Sequence, residues 1–281
     1  MSAIDPRAED SEFRIVVSRK GKNRPKSRAK LQTSFNRTHK QFNERIEVCH
    51  QTVTKQLQAA ESELLQSLFF RECCEELQPI LAGVKRIICL GLGRFSECSI
   101  ARYQLAFIRC LRDKANLNER IQFYDPVFSS SEVEILQSLA EAVLQENVEG
   151  KYSAEHCRTL FYLPHCPKQI VNNVLWKNWQ QEHLTNVILL CNSFCSITNN
   201  HPRRFLERSA GYILRATGVF QEVPLRNNFR FTDIFNDTSL HYLPIDVKLD
   251  DILWQDTNEP SYDTEDLELI TKEVVENLVF S

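Results

Sequence analysis

The 281-residue chain has no apolar run long enough to cross a bilayer. Its first residues also lack the greasy core of a secretory signal. Both absences lead to the expectation of an intracellular protein, cytoplasmic with the nucleus as a second compartment. No two of the ten cysteines are spaced Cys-x-x-Cys, so neither a zinc ribbon nor a thioredoxin-type motif is present. Cys89, Cys110 and Cys191 lie inside apolar runs and read as reduced core thiols rather than as a disulfide framework. A Ser-His-Asp order, a metalloprotease motif and a P-loop lysine are missing as well. Nothing completes a catalytic set, which weighs against an enzyme. A net charge of -3 shows no general pull toward polyanions.

What charge there is lies unevenly. Arg19, Lys20, Lys22, Arg24, Lys26, Arg28 and Lys30 make the start basic, and the chain turns acidic after Asp246 through Asp250, Asp251, Asp256 and Asp263. Ends of opposite sign on a balanced core read as solvated tails, with nucleic acid the disfavoured partner. Residues 1–30 are expected as a basic flexible arm and 31–82 as a helical segment able to hold a protein partner. In that segment Phe35, Phe42, Ile46, Cys49, Val53, Leu57, Leu64 and Leu68 recur at helical spacing, and Pro79 and Gly83 close it. Residues 83–245 form the main domain. Residues 246–281 form an acidic tail whose Leu267, Ile270, Val274 and Leu278 keep the spacing of a docked helix.

In the main domain, short apolar runs alternate with amphipathic ones. "VKRIICLGLG", "RIQFYDP", "AVLQEN", "TLFYLP" and "LTNVILLCNSF" are expected as strands, as is "VFQEVPLR" near the end. "SIARYQLAFIRCLRD", "SSEVEILQSLAEA", residues 168–176 and "RFLERSAGYILRAT" are expected as helices. The pattern predicts an α/β fold, a Rossmann-like and mainly parallel sheet with helices on both faces, preceded by the helical segment.

Ligands of such sheets sit beyond the carboxyl ends of the strands. Each of the first five runs ends there in polar or glycine-rich chemistry: "GLGRFS", "YDP", "QEN", "PHCP" and "CNSF". The candidate ligand-binding residues therefore gather on one edge and point to a cleft for a small molecule. Gly91 and Gly93 form either a phosphate-binding turn, with Ser96 where a dinucleotide fingerprint has its third glycine, or a plain tight turn. Asp125 holds a ribose or makes an Asx-turn before Pro126. Arg102 and Gln104 satisfy loop carbonyls or, for Arg102, clamp an anion. Glu146 and Asn147 follow the third strand, and Asn192 and Ser193 the fifth.

His165 and Cys166 are the most reactive pair. A cysteine nucleophile, a metal ligand (with His156 and Cys157 near in sequence) and a haem-iron contact compete there with a semi-buried thiol beside a hydrogen-bonded histidine. No metal site is expected beyond that haem contact. Asn172 and Asn173, poor mid-helix choices, are expected to hydrogen-bond something specific.

These motifs carry a family likeness. "LGLGRFSE", "ARYQLAF", "YDPVF", "VLQENVEGK", "TLFYLPHCP", "NNVLWKNW" and "LLCNSF" together resemble the sensitivity-to-red-light-reduced (SRR-like) family, including its animal members. The likeness runs from Val84 to Phe194, with an echo in "FNDTSLHYLP" from Phe235 to Pro244. Cys191 stands where the family more often has glycine. The resemblance implies a regulator: plant members act in light input to the circadian clock, and animal members are associated with haem biosynthesis and clock-gene expression, mostly in the cytoplasm. It supplies no catalytic residue. The alternative from the residues themselves is an enzyme using a nucleotide-type cofactor, a methyl donor or a dinucleotide, held by Gly91, Gly93 and Asp125.

Overall fold

The computed structural model describes residues 50–164, 166–244, 247, 249–255, 257–262 and 270. The expected arm at 1–30, the helical segment before residue 50, His165 and nearly all of the tail beyond 262 lie outside these residues. Helix α1 covers residues 50–66, where Val53, Leu57, Ala60 and Leu64 recur every three or four positions and are buried. Ser67 then breaks the rhythm. Its hydroxyl accepts from Phe70 N at 3.1 Å and caps a second helix, α2 (Leu68–Leu81). The restart turns Leu68 off the buried stripe, leaving it 49% exposed. Pro79 lies inside α2 and does not end it; the helix stops at Leu81, and Gly83 at φ +79° turns the chain into the sheet.

The sheet has seven strands in the order β3-β2-β1-β4-β5-β7-β6. They are β1 (Arg86–Leu90), β2 (Ile121–Tyr124), β3 (Ala142–Val143), β4 (Thr159–Tyr162), β5 (Val187–Asn192), β6 (Gln221–Pro224) and β7 (Thr238–Tyr242). β1 to β5 are parallel neighbours, and β7 runs antiparallel to both β5 and β6. The fold is thus mixed α/β with a mostly parallel sheet. The third strand is only two residues long, against the six expected.

Alternation along β1 divides the core. Ile87 and Cys89 join one buried cluster with α1, α2, α3 (Ser99–Lys114) and α4 (Ser130–Ser138). Ile88 and Leu90 join the other, with α5 (Lys168–Lys177), α6 (Gln181–Leu184) and α7 (Phe194–Asn200). That second cluster also takes in α8 (Arg203–Ser209) and α9 (Gly211–Ala216). Helices therefore cover both faces, as continuously apolar strands require. One expected helix is split: Ala210, at φ -156° and ψ 41°, separates α8 from α9. The reason lies far away in sequence, because Asn172 Oδ1 accepts from Tyr212 N at 2.8 Å and from Ile213 N at 3.3 Å, capping a new helix start.

Candidate functional site

Two glycines shape the turn after β1. Gly91 and Gly93 have φ of +64° and +77°, a region that favours residues without a Cβ. At Gly91 a Cβ would stand 2.5 Å from Cys166 Sγ, so the turn after β1 and the turn after β4 are in contact. Asp125, just past β2, clamps the same turn: its Oδ2 accepts from Gly93 N at 2.7 Å, while its Oδ1 accepts from Val127 N at 3.0 Å. The side chain thus makes the Asx-turn and also reaches across to the neighbouring strand's loop. Burial pushes the Asp125 carboxyl above its ordinary range, and the two N–H donors pull part of the way back.

These turns border a cavity of about 330 Å³, at the small end of small-molecule sites. Gly91, Gly93, Asp125, Asn147 and Cys166 all line it. Leu90, Leu92, Tyr124, Pro126, Pro167 and Ile170 make most of its wall apolar. It lies between β2, β1 and β4, where the strand order changes direction. Asn147 reaches it from the loop after β3; its Oδ1 accepts from Glu149 N at 3.0 Å and its Nδ2 donates to Ile270 O at 2.9 Å. Ile270, one of the four apolar positions of the expected tail helix, is itself part of the lining.

The other expected site residues within the described part of the chain are not among those that line this cavity. Ser96 donates from both N and Oγ to Glu132 Oε1, at 2.9 Å each. Glu132 is fully buried and through Oε2 also closes a capping box with Ser129 at the start of α4. Arg102 donates to Phe95 O at 3.0 Å and to Ser96 O at 2.9 Å, holding loop carbonyls. Gln104 is buried and donates to Ile234 O at 2.9 Å. Glu146 is exposed. Asn172 Nδ2 donates to the Tyr262 hydroxyl at 2.9 Å, and Asn173 accepts from that hydroxyl at 2.8 Å and donates to Glu149 O at 2.8 Å. These buried amides fasten the 257–262 segment and the β3–β4 loop onto α5.

At the far end of the edge, the Asn192 side chain is exposed and Ser193 caps α7 by accepting from Ser196 N at 2.9 Å. There β7 delivers a fully buried His241, stacked 3.7 Å from the Phe194 ring and with Nε2 3.3 Å from Asn192 O. Its Nδ1 stands 3.9 Å from Glu222 Oε2, yet burial outweighs that carboxylate and pulls the imidazole down to about 4.

Burial, reinforced by the Asp125 carboxylate, pushes the Cys166 thiol well above its usual range, the opposite of what an activated thiolate needs. The Cys166 sulfur lies against Gly91. Among the described residues, no group of three or more His, Cys, Asp or Glu side chains could hold a metal ion; His156 is 89% exposed.

Sequence reasoning missed several lining residues. Arg94 follows "GLG" directly and Cys98 immediately precedes α3, so both could have been found by extending the turn to the helix it opens. Gly150 had only its residue type; the structure gives the reason for it, since at φ +82° a Cβ would meet Ile170 O at 2.8 Å. Tyr124 was readable as the last residue of its strand. Ile270 had only its place in an apolar stripe.

Residues 53–242 match the SRR1 domain. An SRR1-like protein of Drosophila melanogaster is 37% identical over 187 residues, covering 65% of this chain and 65% of its own length. An SRR1-like protein of Mus musculus is 37% identical over 143 residues, or 50% of this chain and 57% of the mouse protein. The Arabidopsis thaliana protein SENSITIVITY TO RED LIGHT REDUCED 1 is 28% identical over 133 residues, 46% of this chain and 48% of its own. This chain thus spans less than two thirds of the length of each of these relatives. No solved structure matches it. With a domain match over residues 53–242 and these kindred sequences, the chain belongs to the SRR1 domain family.

Proposed function

We propose that this chain is a regulatory protein whose signal is a small ligand held in the cavity between β1, β2 and β4. Its place would be in light or clock input, or in the control of haem biosynthesis. The plant relative's name ties that protein to red light, and the family resemblance implies the clock and haem contexts. The single observation that carries the ligand reading is the contact of three strand-end turns: Gly93 N on Asp125, and Cys166 against Gly91, around one apolar hollow. Five parallel strands whose order reverses between β1 and β4 make a Rossmann-like reading of the sheet the natural one, with the ligand at that reversal.

A second reading, an enzyme with a nucleotide-type cofactor, draws on the same glycine turn and Asp125. It lacks a reacting pair: among the described lining residues, no nucleophile is hydrogen-bonded to a base.

Cys98 supplies the test. It is exposed, lines the cavity and makes no side-chain cap bond at the start of α3, so Cys98→Phe fills the entrance without disturbing the core. Haemin, nucleosides, nucleotides and dinucleotides are compared by thermal shift on both proteins. A cavity ligand at a hundredfold excess over Kd adds roughly 2.7 kcal/mol to the wild type and loses that gain in Cys98→Phe. If every compound that binds stabilises both proteins equally, the cavity is not the ligand site. In cells, Cys98→Phe should reproduce the clock-gene rhythm seen without the protein. A normal rhythm with Cys98→Phe would refute the regulatory role of this cavity.

A further inference from the structure

Resting on the ligand reading above, we infer that the cavity's occupant is an adenosine-type nucleoside without a phosphate: a free nucleoside, or one whose 5′ substituent is a thioether or a sulfonium.

Charge comes first. Asp125 brings a half-buried carboxylate to the lining, and Arg94 is the one cationic side chain there among the described residues. Arg94 is more than half exposed and already faces Glu97 at 3.3 Å. Arg102, the obvious phosphate clamp by sequence, spends its guanidinium on Phe95 O and Ser96 O. Ser96, in the place of a third fingerprint glycine, is tied to Glu132 through both N and Oγ. A phosphate would thus enter beside the Asp125 carboxylate, with no lysine among the described lining residues to meet it. The open start of α3, where Cys98 makes no side-chain cap bond, can serve a single carboxylate on a longer ligand.

Hydrogen bonding points the same way. Two ionised carboxylate oxygens offer about four acceptor positions, and backbone N–H groups occupy two of those on Asp125. The remaining two suit a pair of donors, which is what the vicinal hydroxyls of a ribose present, at the end of the second strand where parallel sheets hold ribose. Asn147 Oδ1 accepts one bond from Glu149 N, leaving a lone pair for an exocyclic amine such as that of adenine. Pro126 and Ile170 give the flat base apolar surfaces to lie between. The volume of about 330 Å³ suits a nucleoside and is small for a dinucleotide.

The full chain is titrated calorimetrically with adenosine, S-adenosylhomocysteine, 2′,3′-dideoxyadenosine, AMP and NAD, on wild type, Cys98→Phe and Asn147→Leu. The expected result is that adenosine and S-adenosylhomocysteine bind at least tenfold tighter than AMP or NAD. Removing both ribose hydroxyls should cost at least tenfold, which probes Asp125 without mutating a residue that also holds the loop. Asn147→Leu should weaken adenosine at least tenfold. AMP or NAD binding as tightly as adenosine overturns the inference and leaves the cavity reading intact. So does a complete failure of nucleosides while another compound is lost in Cys98→Phe. Nucleosides that bind wild type and Cys98→Phe alike overturn both.

Discussion

The two halves of the sheet's carboxyl edge make an instructive pair. At β1, β2 and β4 the strand ends are followed by glycines, an aspartate and a cysteine that meet around a hollow. At β5 and β7 the strand ends are equally rich in polar groups, yet they close on themselves: Ser193 caps a helix and His241 stacks on Phe194. The difference is strand direction. Successive parallel strands turn away in the same sense and leave a crevice, whereas the reversed β7 brings the start of its own ladder up against the end of β5. Polar residues after a strand make a cleft only where the neighbouring strand also ends.

The largest effect that should sharpen this contrast is expected at Glu132. Its carboxylate accepts from Ser96 and Ser129, joining the open half's turn to α4. Glu132→Ala strands four half-buried donors and is expected to cost about 3 kcal/mol in urea unfolding. A loss below about 1 kcal/mol would mean the turn holds without it.

The closed half answers to pH. His241 titrates at about 4 when folded, against about 6.5 when unfolded, so the unfolded chain takes up the proton first as acid is added. Stability from this group is complete above pH 6.5 and is lost as pH falls from there to about 4, by about 3 kcal/mol in total. At Glu222 burial raises the carboxyl, but hydrogen bonds from Ser193 and Cys195 outweigh it and hold the group below the usual carboxylate range, which adds a loss of the same sign at lower pH. In His241→Gln the slope between pH 6.5 and 4.5 should flatten; an unchanged slope would remove His241 as its source.

Next comes the contact that floors the cavity. Gly91→Ala sets a Cβ against Cys166 Sγ at a positive φ and should cost about 2 kcal/mol. Adding Cys166→Ala should recover about half, since the clash goes and the backbone strain stays. A double-mutant cycle with no coupling would show that the two turns do not touch in solution. The smallest effect belongs to Asn192→Ala: with its side chain exposed, stability should move by less than about 0.5 kcal/mol, and ligand binding not at all.

Much of the open half was legible because its signals are local. A β-branched run into Gly-x-Gly, an aspartate before proline and a cysteine between prolines each announce a turn after a buried strand. The alternation that gave the sheet is likewise a short-range pattern. Strand β7 escaped because "TSLHY" mixes polar and apolar residues without a clear period, and the burial of His241 depends on Phe194, Asn192 and Glu222, some twenty to fifty positions away. The α8–α9 break escaped for the same reason, since the amide that caps Tyr212 N belongs to α5. Arg102 and Asn172 were noticed as polar residues in apolar surroundings, but residue type alone does not distinguish a ligand contact from a loop brace.

The sheet's borders have a further consequence. One is β3, a strand of two residues; the other is β6, four residues ending in Pro224, which has no amide hydrogen to offer. Neither presents a long row of free backbone groups among the described residues, so extension of the sheet by a strand from another molecule finds little to grip. Short borders of this kind disfavour edge-to-edge growth of the sheet from either side.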